Sequence, residues 1–144
     1  MRGSVRIKIG ILNDQSGVYE DITGSKSVEA AKMAVEDFGG KVLDRRIEIV
    51  AADHENKVDV ATGIVRKWID VDRVDAIADV TGSGIALAVQ EITRVKNRIM
   101  IAASAATSDL TGQACSPTTV QFSYDTYSLA KITGSETVRQ GGNS

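Results

Sequence analysis

The residues of this 144-residue chain best equipped for chemistry are small and neutral, and they gather in three short runs. They are Asn13-Asp14-Gln15-Ser16-Gly17-Val18-Tyr19, Thr81-Gly82-Ser83-Gly84 and Ser104-Ala105-Ala106-Thr107-Ser108. Hydroxyls, glycines and alanines offer hydrogen-bond donors and close backbone approach, which suits holding a small polar solute. In the second run, Gly and Ser between an apolar run and a helical pattern would expose backbone N–H groups at a helix start, where the dipole favours an anion. A carboxylate bound there would also take the Ser83 hydroxyl. Thr81 and Ser83 fit equally as N-caps that satisfy the helix's own donors. Thr107 is a hydroxyl beside small residues, and also a turn or cap former. Tyr19 is either a wall against which an apolar or aromatic group packs or an anchor for its own loop.

Other chemistries find little support. Cys115 is the only cysteine and His54 the only histidine, so neither an intrachain disulfide nor a zinc-spaced ligand pair is available. No Gly-x-Ser-x-Gly elbow accompanies His54. Gly10 lacks a Gly-x-Gly-x-x-Gly context, and no phosphate-cradling Gly-x-x-x-x-Gly-Lys-Ser/Thr occurs. No cofactor and no metal are expected. Asp14, Asp53 and Asp79 fall near three strand ends, as in the acidic site of a phosphoryl-accepting receiver domain. Such a site also wants a Lys at a late strand end, whereas Lys131 falls inside the last helical segment. A net charge of −2 leaves no electrostatic footprint for nucleic acid or an anionic membrane.

The elements that must position these runs alternate along the chain. Residues 5–12, 46–52, 74–80, 98–103 and 119–123 read as strands, rich in β-branched and apolar residues. Residues 25–38, 58–71, 85–96 and 127–140 carry apolar positions at helical spacing, such as Val28, Ala31 and Val35 in the first. Gly39-Gly40 supplies a C-terminal stop for that helix. A composition of 42% hydrophobic and 25% charged residues suits one globular domain large enough to bury a core. No apolar run approaches the roughly 20 residues needed to span a bilayer. Strand–helix alternation with short joints predicts an α/β fold: a doubly wound, mostly parallel five-stranded sheet of Rossmann-like or flavodoxin-like form, covered by helices on both faces as a three-layer sandwich. In such sheets ligands bind beyond the carboxyl ends of the strands, where the strand order reverses. The three runs lie at those ends.

The stretches IKIGILNDQSGVYEDITG, SVEAAKMAVEDFGG, IEIVAADHENKVDVATGIVRKWID, VDAIADVTGSGIALAVQEITRVKN and IMIAASAATSDLTGQACSPTTVQFSYDTYSLA follow one another along nearly the whole chain. In order and spacing they resemble the opening of periplasmic binding proteins of the Leu/Ile/Val-binding type, the receptors of branched-chain amino-acid-type ABC importers. The resemblance implies a two-lobed receptor that closes around a solute without chemistry. It implies that Ser83, Ala105 and Thr107 hold the polar head of an amino acid or aromatic acid, Ala105 through its backbone, with Tyr19 lining the pocket. It also implies a membrane permease as partner and a periplasmic, or extracellular and membrane-tethered, parent. Residues 1–4 look like a vector-derived leader, with no signal peptide. Residues 5–123 are expected to form the N-terminal lobe, and residues 124–144 the hinge and first helix of the second. A helix deprived of its own lobe would fold back or meet a second copy, so a homodimer is expected. A ligand-sensing regulatory domain of the same fold, or a small flavodoxin-like α/β enzyme, are the alternatives.

Overall fold

The computed structural model describes residues 6–142; the expected leader, residues 1–4, lies outside the described residues. Strand β1 (Ile7–Asn13) leads to helix α1 (Gly24–Asp37), the short strand β2 (Lys41–Val42) and β3 (Arg45–Asp53). Helix α2 (Val58–Lys67), β4 (Ala76–Ala78), α3 (Ser83–Val95), β5 (Ile99–Ala102), β6 (Thr119–Gln121) and α4 (Thr126–Arg139) follow. The sheet order is β2-β3-β1-β4-β5-β6, parallel throughout except for β2 against β3. The chain steps from β1 to β3, then crosses back past β1 to β4, β5 and β6. Right-handed crossovers therefore place α1 on one face and α2 with α3 on the other, giving the expected doubly wound sandwich.

Six strands stand where five were expected. The extra one, β2, joins β3 through Leu43 and Asp44, with φ of 49° and 60°. Positive φ at both central residues is the geometry of a two-residue hairpin turn, normally announced by Asn-Gly or Asp-Gly. Leu43-Asp44 carries no such signature. The second helix also ends early. It passes at Lys67 into a π-helical turn, Trp68–Asp72, closed by Arg73 in a left-handed conformation. The wider turn brings the neighbouring side chains of Trp68 and Ile69 both into the core.

Burial divides the sheet by face. Leu12, Ile77, Met100 and Ala102 point towards α2 and α3 and are fully buried with Val65, Trp68, Val89 and Ile92. Gly10 of β1 lies under the Trp68 ring so closely that a Cβ there would sit 2.4 Å from it. On the opposite face α1 covers β1 and β3, chiefly through Val28. Ile99, Ile101 and Val120 of β5 and β6 remain 54%, 37% and 51% exposed. Helix α4 begins with a capping box, in which Asp125 and Ser128 satisfy each other's backbone N–H groups. It buries none of its residues among the described residues.

Candidate ligand-binding site

The hydroxyl-rich runs meet around a cavity of about 370 Å³ beyond the carboxyl ends of β1, β4, β5 and β6. Tyr19, Ile22 and Thr23 line it from the loop after β1, and Thr81, Gly82 and Ser83 from the joint between β4 and α3. Ala103, Ser104 and Ala106 line it after β5, and Ser123 and Tyr124 after β6. Every lining residue is neutral. The cavity straddles the β1/β4 boundary, where the strand order reverses.

Each wall has a local cause. The buried Asp14 carboxylate accepts hydrogen bonds from the backbone N–H groups of Gly17 (2.8 Å) and Tyr19 (3.0 Å), curling the first loop so that Tyr19 faces inward. Gly17 is required for this approach, because a Cβ there would lie 2.6 Å from Asp14 Oδ1. Thr81 Oγ1 meets Thr23 Oγ1 at 3.2 Å and ties the second wall to the first. Helix α3 is capped by Gly82, with φ of 86° and no side-chain hydrogen bond. The sequence left open whether Thr81 and Ser83 cap the helix, and neither does. Its first-turn N–H groups therefore have no intrahelical partner at the end where Ser83 lines the cavity.

The third wall departs from expectation by one residue. Ala105 is buried, and its carbonyl accepts from Gln121 Nε2 (2.9 Å) and Ser123 Oγ (3.4 Å). Thr107 caps a short 3-10 turn, Ser108–Leu110, by accepting from the Asp109 N–H at 3.3 Å. Their neighbours Ser104 and Ala106 line the cavity instead. The structure thus brings Tyr19 and Ser83 together at the cavity and leaves Ala105 and Thr107 outside its lining. Ser123 and Tyr124 were missed, although they follow the end of a parallel strand and the strand-end rule reaches them.

The acidic strand ends are braces. Asp53 accepts from Ser16 Oγ (2.6 Å) and from the Gln15 (2.9 Å) and Glu55 (2.7 Å) N–H groups. Burial works to raise its carboxyl, but these bonds outweigh it and hold the group below its ordinary value. Asp79 accepts from Asn13 Nδ2 (3.0 Å) and Ser104 Oγ (2.7 Å). Lys131 lies in α4, its Nζ 5.6 Å from the Tyr127 ring centre. With three acids committed to loops, this is no receiver-type acidic cluster, and no metal-holding group of His, Cys, Asp and Glu occurs among the described residues. His54 is fully buried, and burial pushes its imidazole below its ordinary value. Its Nδ1 accepts from the Asn56 N–H at 3.0 Å, so Nε2 carries the hydrogen of the neutral ring.

Residues 6–144 match a family model described as periplasmic binding protein. The chain belongs to that family. Among solved structures it is similar to a periplasmic binding protein from Burkholderia mallei, at 44% identity and a TM-score of 0.93 over 98% of this chain and 38% of that one. It is also similar to a branched-chain amino-acid ABC transporter periplasmic ligand-binding protein from Burkholderia xenovorans. That match has 38% identity and a TM-score of 0.88 over 94% of this chain and 36% of the other. A solute-binding protein of an ABC transporter from R. palustris, in complex with benzoate, is 25% identical with a TM-score of 0.85, over 95% of this chain and 38% of that one. The chain spans less than two fifths of the length of these relatives. A comparison with curated proteins gave no match.

Proposed function

We propose that this chain is the N-terminal lobe of the solute-binding receptor of an ABC importer, holding a small carboxylate-bearing solute without chemistry. The observation that carries the reading is a neutral, hydroxyl-lined cavity at the strand ends, with an uncapped helix start on one side and Tyr19 and Tyr124 as aromatic surfaces. Helix N–H groups and hydroxyls suit a carboxylate, and aromatic walls suit an apolar body. Relatives that include a branched-chain amino-acid receptor and a benzoate complex support an amino acid or aromatic acid as the solute. Ser83 and Tyr19 hold it directly. Ala105 and Thr107 shape the third wall from behind its lining, Ala105 through the carbonyl bonded by Gln121 and Ser123 and Thr107 through the turn it caps.

Of the described residues, 6–123 form the lobe and 124–142 the hinge and first helix of a second lobe, a division supported by the lack of buried residues in α4. The parent protein works in the periplasm beside a membrane permease, a reading supported by relatives described as periplasmic and as belonging to ABC transporters. Because closure of a second lobe buries the solute, this chain alone binds weakly. Nuclear magnetic resonance titration with benzoate and with L-leucine tests the reading. Shifts in fast exchange, confined to residues 19–24, 81–84, 103–106 and 123–124, are expected at about millimolar ligand. Shifts elsewhere, or none, would sink the assignment of the cavity, and micromolar affinity would overturn the half-pocket argument. The uncovered Leu129, Ile132 and Val138 of α4 further support a homodimer of this chain, checked by light scattering over a concentration series.

A further inference from the structure

Asp79 stands where β4 leaves the sheet, between Ala78 and Val80, with φ of +57°. This left-handed conformation is uncommon for a residue with a Cβ, and Asp is among the few that tolerate it. Strand alternation would turn Asp79 to the same face as Ile77, into the apolar core beneath α2 and α3. The left-handed turn aims its carboxylate elsewhere. Oδ2 accepts from Asn13 Nδ2 at 3.0 Å, and Oδ1 accepts from Ser104 Oγ at 2.7 Å.

Both partners lead outward to cavity walls. The Asn13 side chain, fully buried, also donates to the Gly24 carbonyl at 2.7 Å, at the start of α1. Ser104 lines the cavity and pairs in a parallel bridge with Thr81. The Asp79 N–H donates to the Ile101 carbonyl of β5 at 3.1 Å. The ends of β1, β4 and β5 are thus tied to one side chain that is itself absent from the cavity lining.

We infer that Asp79 is a positioning residue: by clamping Asn13 and Ser104 it holds three strand-end loops at the separation where Ser83, Thr81 and Ser104 face one solute. The consequence for binding rests on the solute-receptor reading; the clamp itself does not. A purely backbone role would be served best by glycine, which adopts positive φ without strain. Asp79→Gly therefore keeps the turn and deletes the clamp. Asp79→Asn keeps both, because its oxygen accepts from Asn13 while its amide donates to a rotated Ser104 hydroxyl.

Native-state hydrogen exchange on the whole chain separates these cases. In Asp79→Gly, exchange of residues 79–86 and 102–106 should quicken about tenfold or more, with α2 unchanged, and Asp79→Asn should stay within about threefold of the parent. Wild-type protection in Asp79→Gly, or Asp79→Asn as fast as Asp79→Gly, overturns the clamp. Should Asp79→Gly fail to fold, Ser104→Ala removes one arm; unchanged exchange at 102–106 in that variant is equally fatal. A parallel benzoate titration should show affinity reduced about tenfold in Asp79→Gly and restored in Asp79→Asn. A parent chain that gives no benzoate shifts overturns the solute reading, while the exchange measurement still decides the clamp.

Discussion

Met100 and Ile101 are neighbours on β5, yet one is fully buried and the other 37% exposed. Met100 faces α2 and α3, where Gly10, Trp68 and Val89 close a finished core. Ile101 faces the side where α1 reaches only β1 and β3 and leaves β5 and β6 bare. The same strand, one residue on, belongs to a completed layer and an uncompleted one. The face under α2 and α3 is therefore closed along the sheet, while on the other face β5 and β6 meet no covering element among the described residues.

The sharpest way to break this comparison is Met100→Ala, which should cost about 2–5 kcal/mol in a denaturant titration. A cost near zero would mean that the covered face is loosely packed after all. Next comes His54, fully buried just past the end of β3, where burial disfavours the charged imidazole. The unfolded chain takes up the proton that the folded chain refuses, so this contribution is complete above about pH 6.5 and is lost as pH falls through the depressed folded-state value. The slope reaches at most about 1.4 kcal/mol per pH unit. His54→Gln should flatten it in stability curves measured between pH 4.5 and 7, and an unchanged slope would assign the effect to other groups.

Helix α4 offers a smaller and purely local effect. Asp125→Ala removes one half of its capping box, so amide exchange across residues 126–139 should rise severalfold while the midpoint of global unfolding stays put. A shifted midpoint would show that α4 is packed against something in solution. The smallest effect expected is that of Ile101→Ala, about 1 kcal/mol or less. If it matched Met100→Ala, the bare face would be covered in solution, and a second copy of the chain would be the first candidate.

Much of this was legible in the residues. Strand–helix alternation predicted the sandwich, and the strand-end rule located the cavity, because hydrophobic period and loop chemistry are local properties. The β2 hairpin escaped because Leu43-Asp44 adopts left-handed geometry without the usual turn residues, so tertiary pairing rather than propensity decides it. The third wall escaped by one residue. Ser104 and Thr107 are both hydroxyls in one small loop, and which of them faces the cavity depends on Ala105 being pinned by Gln121 and Ser123. Asp79 looked like a member of an acidic trio, whereas its role depends on a backbone angle that no local pattern reveals.

Trp68 is the only tryptophan in the chain, and its ring rests on Gly10 inside the covered layer. Its emission during a melt therefore reports on one half of the molecule. An early departure of α4, or any event on the exposed side of β5 and β6, leaves that signal dark. A single clean fluorescence transition for this chain describes how one layer comes apart, and only a probe spread along the backbone registers the rest.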